Sequence, residues 1–215
     1  MTDPRASCQL YAVIEAGPGA SERLSAALSA AGLACVLVAA AAGRPLDAAA
    51  AKPLVDQAKQ AGVAALVLED AQLARILGAD GVHLCAMKDP QAAYREAREL
   101  LGNGSVVGVD AGISRHAAML LAEAGADYVG FGAPVHLKDR DKARARRDDL
   151  VSWWAQIFQV PCVAFDVGTP GESEYLAAEG VDFIAVTLPA ELSPAAAGDM
   201  VRDIARAIGA SETTR

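Results

Sequence analysis

The sequence predicts an α/β protein folded as a single compact (β/α)8 barrel over residues 1–215. Three observations predict it. One phrase recurs, as "GADGVHL" (78–84), "GADYVGF" (125–131) and "GVDFIAV" (180–186), with "AGVAALVL" (61–68) as a looser fourth. Each follows an Ala/Leu-rich amphipathic stretch, opens on glycine and enters a short apolar run; glycine ends a helix in the left-handed region without a Cβ penalty. The strand-like runs are almost continuously hydrophobic, as in a parallel sheet covered on both faces. The chain then parses into eight strand–helix repeats, and 215 residues lie at the compact end of the roughly 200–400 typical of the closed barrel. An open doubly wound sheet usually carries fewer repeats, and no G-x-G-x-x-G follows the first strand.

In order, strands are expected near 9–15, 33–39, 63–68, 81–85, 105–109, 127–131, 161–165 and 182–186. Helices are expected near 20–31, 46–61, 70–77, 89–101, 114–124, 148–158, 171–179 and 193–208. This alternation implies right-handed βαβ crossovers. The Ala-rich "AAAAGRPLDAAAA" (39–51) reads as a loop and a helix start, with Asp47 near the helix N-terminus. No composition break divides the chain. The segment 136–149, "HLKDRDKARARRDD", carries six basic and four acidic residues and is expected to be a charged mobile loop.

Hydrophobic residues make up 53% of the chain and aromatics only 5%, so the core must be aliphatic. A net charge of −8 argues against nucleic-acid binding and against an anionic membrane surface. The longest apolar run, "LACVLVAAAA" (33–42), is half of the ~20 residues a membrane span needs. The first residues carry Asp3, Arg5 and Glu15 and no uninterrupted apolar region, which leads us to expect a cytoplasmic protein without a secretory signal. Cys8, Cys35, Cys85 and Cys162 form no Cys-x-x-Cys and no metal-ligand spacing with histidine, and read as reduced thiols.

In such a barrel the chemistry sits at the C-terminal strand ends. That places Glu15, residues 38–40, Glu69-Asp70, Cys85 to Asp89, Asp110 to Ser114, 132–142, Asp166 to Gly168 and Thr187 at one mouth. Glu69-Asp70 offers two hard oxygens for Mg2+, or a helix cap at Asp70 with Glu69 solvated. "VGTPG" (167–171) reads equally as a phosphate-binding backbone or a plain turn. Lys138, Arg140 or Lys142 can close on a pyrophosphate as a lid, or simply be solvated. His83 lies within a strand and reads as a buried, hydrogen-bonded residue. Ser114 is either a helix N-cap or a site residue, with His116 in the first turn after it. His136 is the histidine expected on a mouth loop, and so the candidate acid or base.

The order "LYAVIE" (10–15), "GADGVHL", Ser114 with His116, "GADYVGFG" (125–132), "PCVAF" (161–165) and "GVDFIAV" resembles the thiamine-phosphate synthase and thiazole tautomerase superfamily over about residues 9–187. The resemblance implies a homodimeric barrel that couples hydroxymethylpyrimidine diphosphate to thiazole phosphate, using Mg2+ and releasing pyrophosphate. It implies a small phosphorylated pyrimidine or thiazole ligand. Glu69 and Asp89 would then lie on the metal side, Ser114 with Lys138 and Lys142 on the pyrophosphate, and Gly168 and Thr187 on the phosphate.

Several family positions carry different residues here. The polar Gln-x-Arg-x-Lys cluster after the second strand is replaced by "VLVAAAAG" (36–43). After "GVHL" the family's Gly-Gln-x-Asp is Cys85-Ala86-Met87-Lys88, with Asp89 one residue out of register. The Gly-Gly after strand seven is Asp166-Val167. The tautomerase uses a histidine just after the equivalent of "FG"; here Ala133 stands there and His136 follows three residues on. Three readings therefore stay open: a synthase-like transferase, a repurposed ligand-binding or interaction barrel, and a tautomerase-like isomerase using His136.

Overall fold

The computed structural model describes residues 7–41, 44–133 and 138–213. Eight parallel strands close into a barrel, each followed by a helix. In chain order these are β1 (Gln9–Glu15), α1 (Ala20–Ala30), β2 (Leu33–Ala39), α2 (Ala48–Gln60), β3 (Ala64–Leu68), α3 (Ala71–Leu77), β4 (Gly81–Leu84) and α4 (Pro90–Leu101). They continue with β5 (Val106–Asp110), α5 (Arg115–Ala124), β6 (Tyr128–Phe131), α6 (Arg140–Ile157), β7 (Cys162–Ala164), α7 (Pro170–Glu179), β8 (Phe183–Leu188) and α8 (Pro194–Thr213). The register closes between β8 and β1, with Ala185 beside Tyr11 and Thr187 beside Val13.

The repeated phrase has a mechanical reason. Gly78, Gly125 and Gly180 end α3, α5 and α7 at φ of 66°, 94° and 94°, where a side chain is strained. The aspartate two residues later then ties the incoming strand to the preceding one. Asp80 accepts the Ala65 N–H at 2.8 Å, Asp127 that of Val107 at 2.7 Å, and Asp182 that of Cys162 at 2.8 Å. The looser fourth phrase has Ala64 at this place, two residues after Gly62, and no such carboxylate.

The main core lies between strands and helices and is aliphatic, with Phe131 and Trp154 as its largest aromatic anchors. A second, smaller cluster fills the barrel interior around Tyr11, Leu37, Leu66, Tyr128 and Val163.

One expectation is corrected. Within the charged segment 136–149, residues 140–149 are helical and belong to α6, which begins eight residues before the expected 148. Asp139 caps it by accepting the Lys142 N–H at 3.1 Å. The buried positions Ala143, Arg147, Leu150, Val151 and Trp154 lie on one helical face, so the helix is held by packing along most of its length.

Candidate functional site at the barrel mouth

At the C-terminal mouth the strand ends bring acids together. Asp110 ends β5 and Asp166 follows β7, and both point at Gly132, just past β6. A Cβ built on Gly132 would lie 3.1 Å from Asp166 Oδ2 and 3.5 Å from Asp110 Oδ2. Each carboxylate is oriented by a main-chain donor: Gly112 N–H to Asp110 Oδ1 at 2.6 Å, and Ala133 N–H to Asp166 Oδ2 at 2.8 Å. Burial pushes the Asp110 carboxyl up to about 6, the Gly112 N–H opposes this, and the Asp166 charge adds to the rise. At neutral pH this carboxyl exchanges its proton readily.

Two neighbouring strands add to the cluster. The Cys85 thiol, after β4, is pushed up to about 12 by burial first, then by the charge and hydrogen bond of Glu69 and the charge of Asp110. It is therefore a protonated group, unsuited to act as a thiolate nucleophile. Glu69 follows β3 at φ 64° and Asp166 stands at φ 58°, the described non-glycine residues in the left-handed region. Such conformations cost about 1 kcal/mol or more and cluster at working sites. Glu69 is held by its own N–H, which donates to the His83 carbonyl at 2.7 Å. The loop carrying Asp166 is held from below by Arg147, a buried side chain of α6. Its Nη1 donates to the carbonyls of Phe165 at 2.9 Å and Asp166 at 3.1 Å.

The other expected site residues divide clearly. Ser114 caps α5, accepting the Ala117 N–H at 3.1 Å. Asp89 caps α4, accepting the Ala92 N–H at 3.0 Å, and Asp70 caps α3, accepting the Leu73 N–H at 2.8 Å. The Gly168 N–H donates to Glu172 at 2.8 Å. Lys142 is exposed and lies 3.4 Å from Asp139, its own cap residue, while Lys138 is exposed. Thr187 is an exposed residue within β8. His136 lies outside the described residues. Sequence reasoning placed Asp110 and Asp166 at the mouth without pairing them; their meeting depends on the barrel register.

The donor set was tested against the Mg2+ that the resemblance implies. Among the described residues no three His, Cys, Asp or Glu side chains gather as a metal-holding group. Asp89 serves as a helix cap. Mg2+ is commonly held by one or two carboxylates together with substrate phosphates, and Glu69 is the mouth carboxylate that would serve in that way. No described helix is long and apolar enough to cross a membrane.

Comparison with known proteins speaks to the family and the fold. Residues 10–189 match the TMP-TENI family, thiamine monophosphate synthase. A thiamine-phosphate synthase of Erythrobacter litoralis is 42% identical over 139 residues, 64% of either chain. One of Rhodospirillum centenum is 40% identical over 136 residues, 63% of this chain and 62% of that one. The aligned part thus spans somewhat under two thirds of these relatives' length. Among solved structures, the thiamine phosphate pyrophosphorylase of Pyrococcus furiosus superposes with a TM-score of 0.74 at 19% identity, covering 97% of this chain and 99% of that one. A tryptophan synthase of Mycobacterium tuberculosis superposes at 0.71 with 12% identity, covering 95% and 93%, so these likenesses speak for the barrel alone. With a family match that runs from β1 into the turn after β8, the chain belongs to the thiamine monophosphate synthase family.

Proposed function

We propose that this protein works at the C-terminal barrel mouth on small phosphorylated pyrimidine and thiazole compounds. Its reaction would be the coupling that its relatives' name describes, with hydroxymethylpyrimidine diphosphate joined to thiazole phosphate and pyrophosphate released. The observation that carries this is the family match across all eight strands, which includes the residues of the acidic mouth. In this reading Asp110 and Asp166 accept hydrogen bonds from a heterocycle or offset its positive charge. Lys138 would approach the departing pyrophosphate. A homodimer and a cytoplasmic location are part of the same proposal.

A second reading is favoured by the Gly168 N–H, which already donates to Glu172, and by the carboxylates gathered at the mouth. An N–H so engaged, beside two carboxylates, is a poor start for a diphosphate cage at that strand end. A carboxyl at about 6 beside a second carboxylate suits proton transfer instead, or a binding site for a heterocycle without diphosphate.

One experiment separates them. Purified protein is given both substrates, with and without Mg2+, and thiamine phosphate is measured by mass spectrometry. In parallel, deuterium exchange into thiazole phosphate is followed by NMR. Product formation that Glu69→Ala abolishes supports the coupling reading. No product at enzyme concentrations equal to substrate rejects it. The proton-transfer reading fails if Asp110→Asn leaves the exchange rate unchanged.

A further inference from the structure

The opposite, N-terminal end of the barrel holds a cavity that the mouth chemistry does not use. We propose that it is a binding site for a small, uncharged, mainly aromatic molecule carrying one hydroxyl or N–H donor. The cavity has a volume of about 240 Å3 and is lined by the first inward residues of the strands, among them Leu66, Val106, Val163 and Phe183, with Gln9 at its rim. Barrels of this class are normally filled by layers of side chains. Here the lowest layer is underfilled because β3 contributes only Ala64 to it. For scale, an apolar cavity of about 150 Å3 takes up benzene.

The cavity also has a polar wall with a defined sense. Tyr11 and Tyr128 line it, and their hydroxyls are 3.0 Å apart. The Tyr128 hydroxyl lies 2.9 Å from His83 Nδ1. Burial lowers His83 to about 3, so the ring is neutral and Nδ1 can accept. With His83 in the tautomer that leaves Nδ1 without a proton, the chain runs from Tyr11 O–H to Tyr128 O–H to His83, with the Cys35 thiol hydrogen-bonded to Tyr11 at the cavity wall. With every hydroxyl proton directed along the chain, the remaining capacity of the phenol oxygens is lone pairs. A ligand is therefore asked to donate, and Tyr11 is the acceptor. Burial holds both phenols protonated, and among the described residues no charged side chain lines the cavity, which favours an uncharged ligand.

The test uses the full 215-residue protein with p-cresol and toluene as probes, read by calorimetry and by ligand-observed NMR. Both probes are expected to bind saturably. Tyr11→Phe is expected to weaken p-cresol about tenfold, the equivalent of one net hydrogen bond, and to leave toluene unchanged. Ala64→Phe, which fills the cavity, is expected to abolish both. Absence of saturable binding overturns the proposal, as does p-cresol affinity that is equal in wild type and Tyr11→Phe. Should Ala64→Phe not fold, the Tyr11→Phe comparison decides alone.

Discussion

Asp182 accepts the main-chain N–H of Cys162 at 2.8 Å, fastening the turn before β8 to the first residue of β7. Asp80 and Asp127 make the same tie from β4 to β3 and from β6 to β5. Cys162 is fully buried, so removing its acceptor leaves a donor that water does not reach easily. Asp182→Ala is expected to lower stability by about 1–3 kcal/mol in chemical denaturation, with an unchanged denaturant slope. Asp182→Asn keeps an acceptor oxygen and should lose less. Equal losses for both variants would mean that the charge, and not the acceptor, is what the barrel uses.

Arg147 is the second fastening. It is fully buried, ion-paired with Asp148 and Glu172, and donates to two carbonyls of the β7 end. Burial alone would raise the Glu172 carboxyl, but the Gly168 N–H and Arg147 hold it below its usual range. Arg147→Met removes the near cation and leaves the part-buried Glu172 with only the Gly168 N–H and the more distant Arg144 at 3.9 Å. Breaking such a pair costs roughly 3–5 kcal/mol. Since Arg147 also props the loop carrying Asp166, the variant should change the titration of Asp110 as well. A folded variant whose stability and Asp110 titration both match wild type would contradict this.

The barrel was legible because its rules are local. Glycine after a helix, then a short apolar run, is a signal contained in about seven residues, and seven of the eight helices begin within two residues of expectation. The start of α6 was hidden for a physical reason. Its buried face includes Arg147, so the apolar periodicity that marks a helix is interrupted by a guanidinium that satisfies itself with carbonyls and carboxylates. His83 was legible as a buried, hydrogen-bonded residue, but its partner Tyr128 lies 45 positions away. The Asp110–Asp166 pair was not legible. It exists because β5, β6 and β7 are adjacent in register and because Gly132 between them has no side chain. A single sequence carries no local signal for that.

The caps give a prediction that separates structure from chemistry. The resemblance implies a metal role near Asp89, whereas the geometry makes it the N-cap of α4. Replacing an Asp cap by alanine costs about 1 kcal/mol. Asp89→Ala should show that loss in thermal or chemical unfolding, and Asp89→Ser should recover most of it. Mg2+ affinity, measured by calorimetry, should be the same in wild type and both variants. A selective loss of Mg2+ binding in Asp89→Ser would return this residue to the metal side.

Asp110 makes the stability of the protein depend on pH in a direction opposite to that of an ordinary paired carboxylate. Its folded-state value is about 6 against an ordinary 3.8, so between those values the folded protein holds a proton that the unfolded chain has lost. Stability therefore falls as pH rises from about 4 through 6 and is level above that, as far as this group is concerned. The full shift corresponds to roughly 3 kcal/mol, an upper bound for a side chain that keeps some solvent contact. Asp110→Asn keeps an oxygen for the Gly112 N–H and removes the ionisation. Denaturation at pH 4 should find variant and wild type similar, and at pH 8 the variant should be more stable by roughly 1–3 kcal/mol. Asp166→Asn removes the nearby charge and should lower the Asp110 value, visible in the carboxyl carbon resonance of a labelled sample. If Asp110 titrates near its ordinary value and both proteins show the same pH slope, the two carboxylates do not share the environment that Gly132 leaves open.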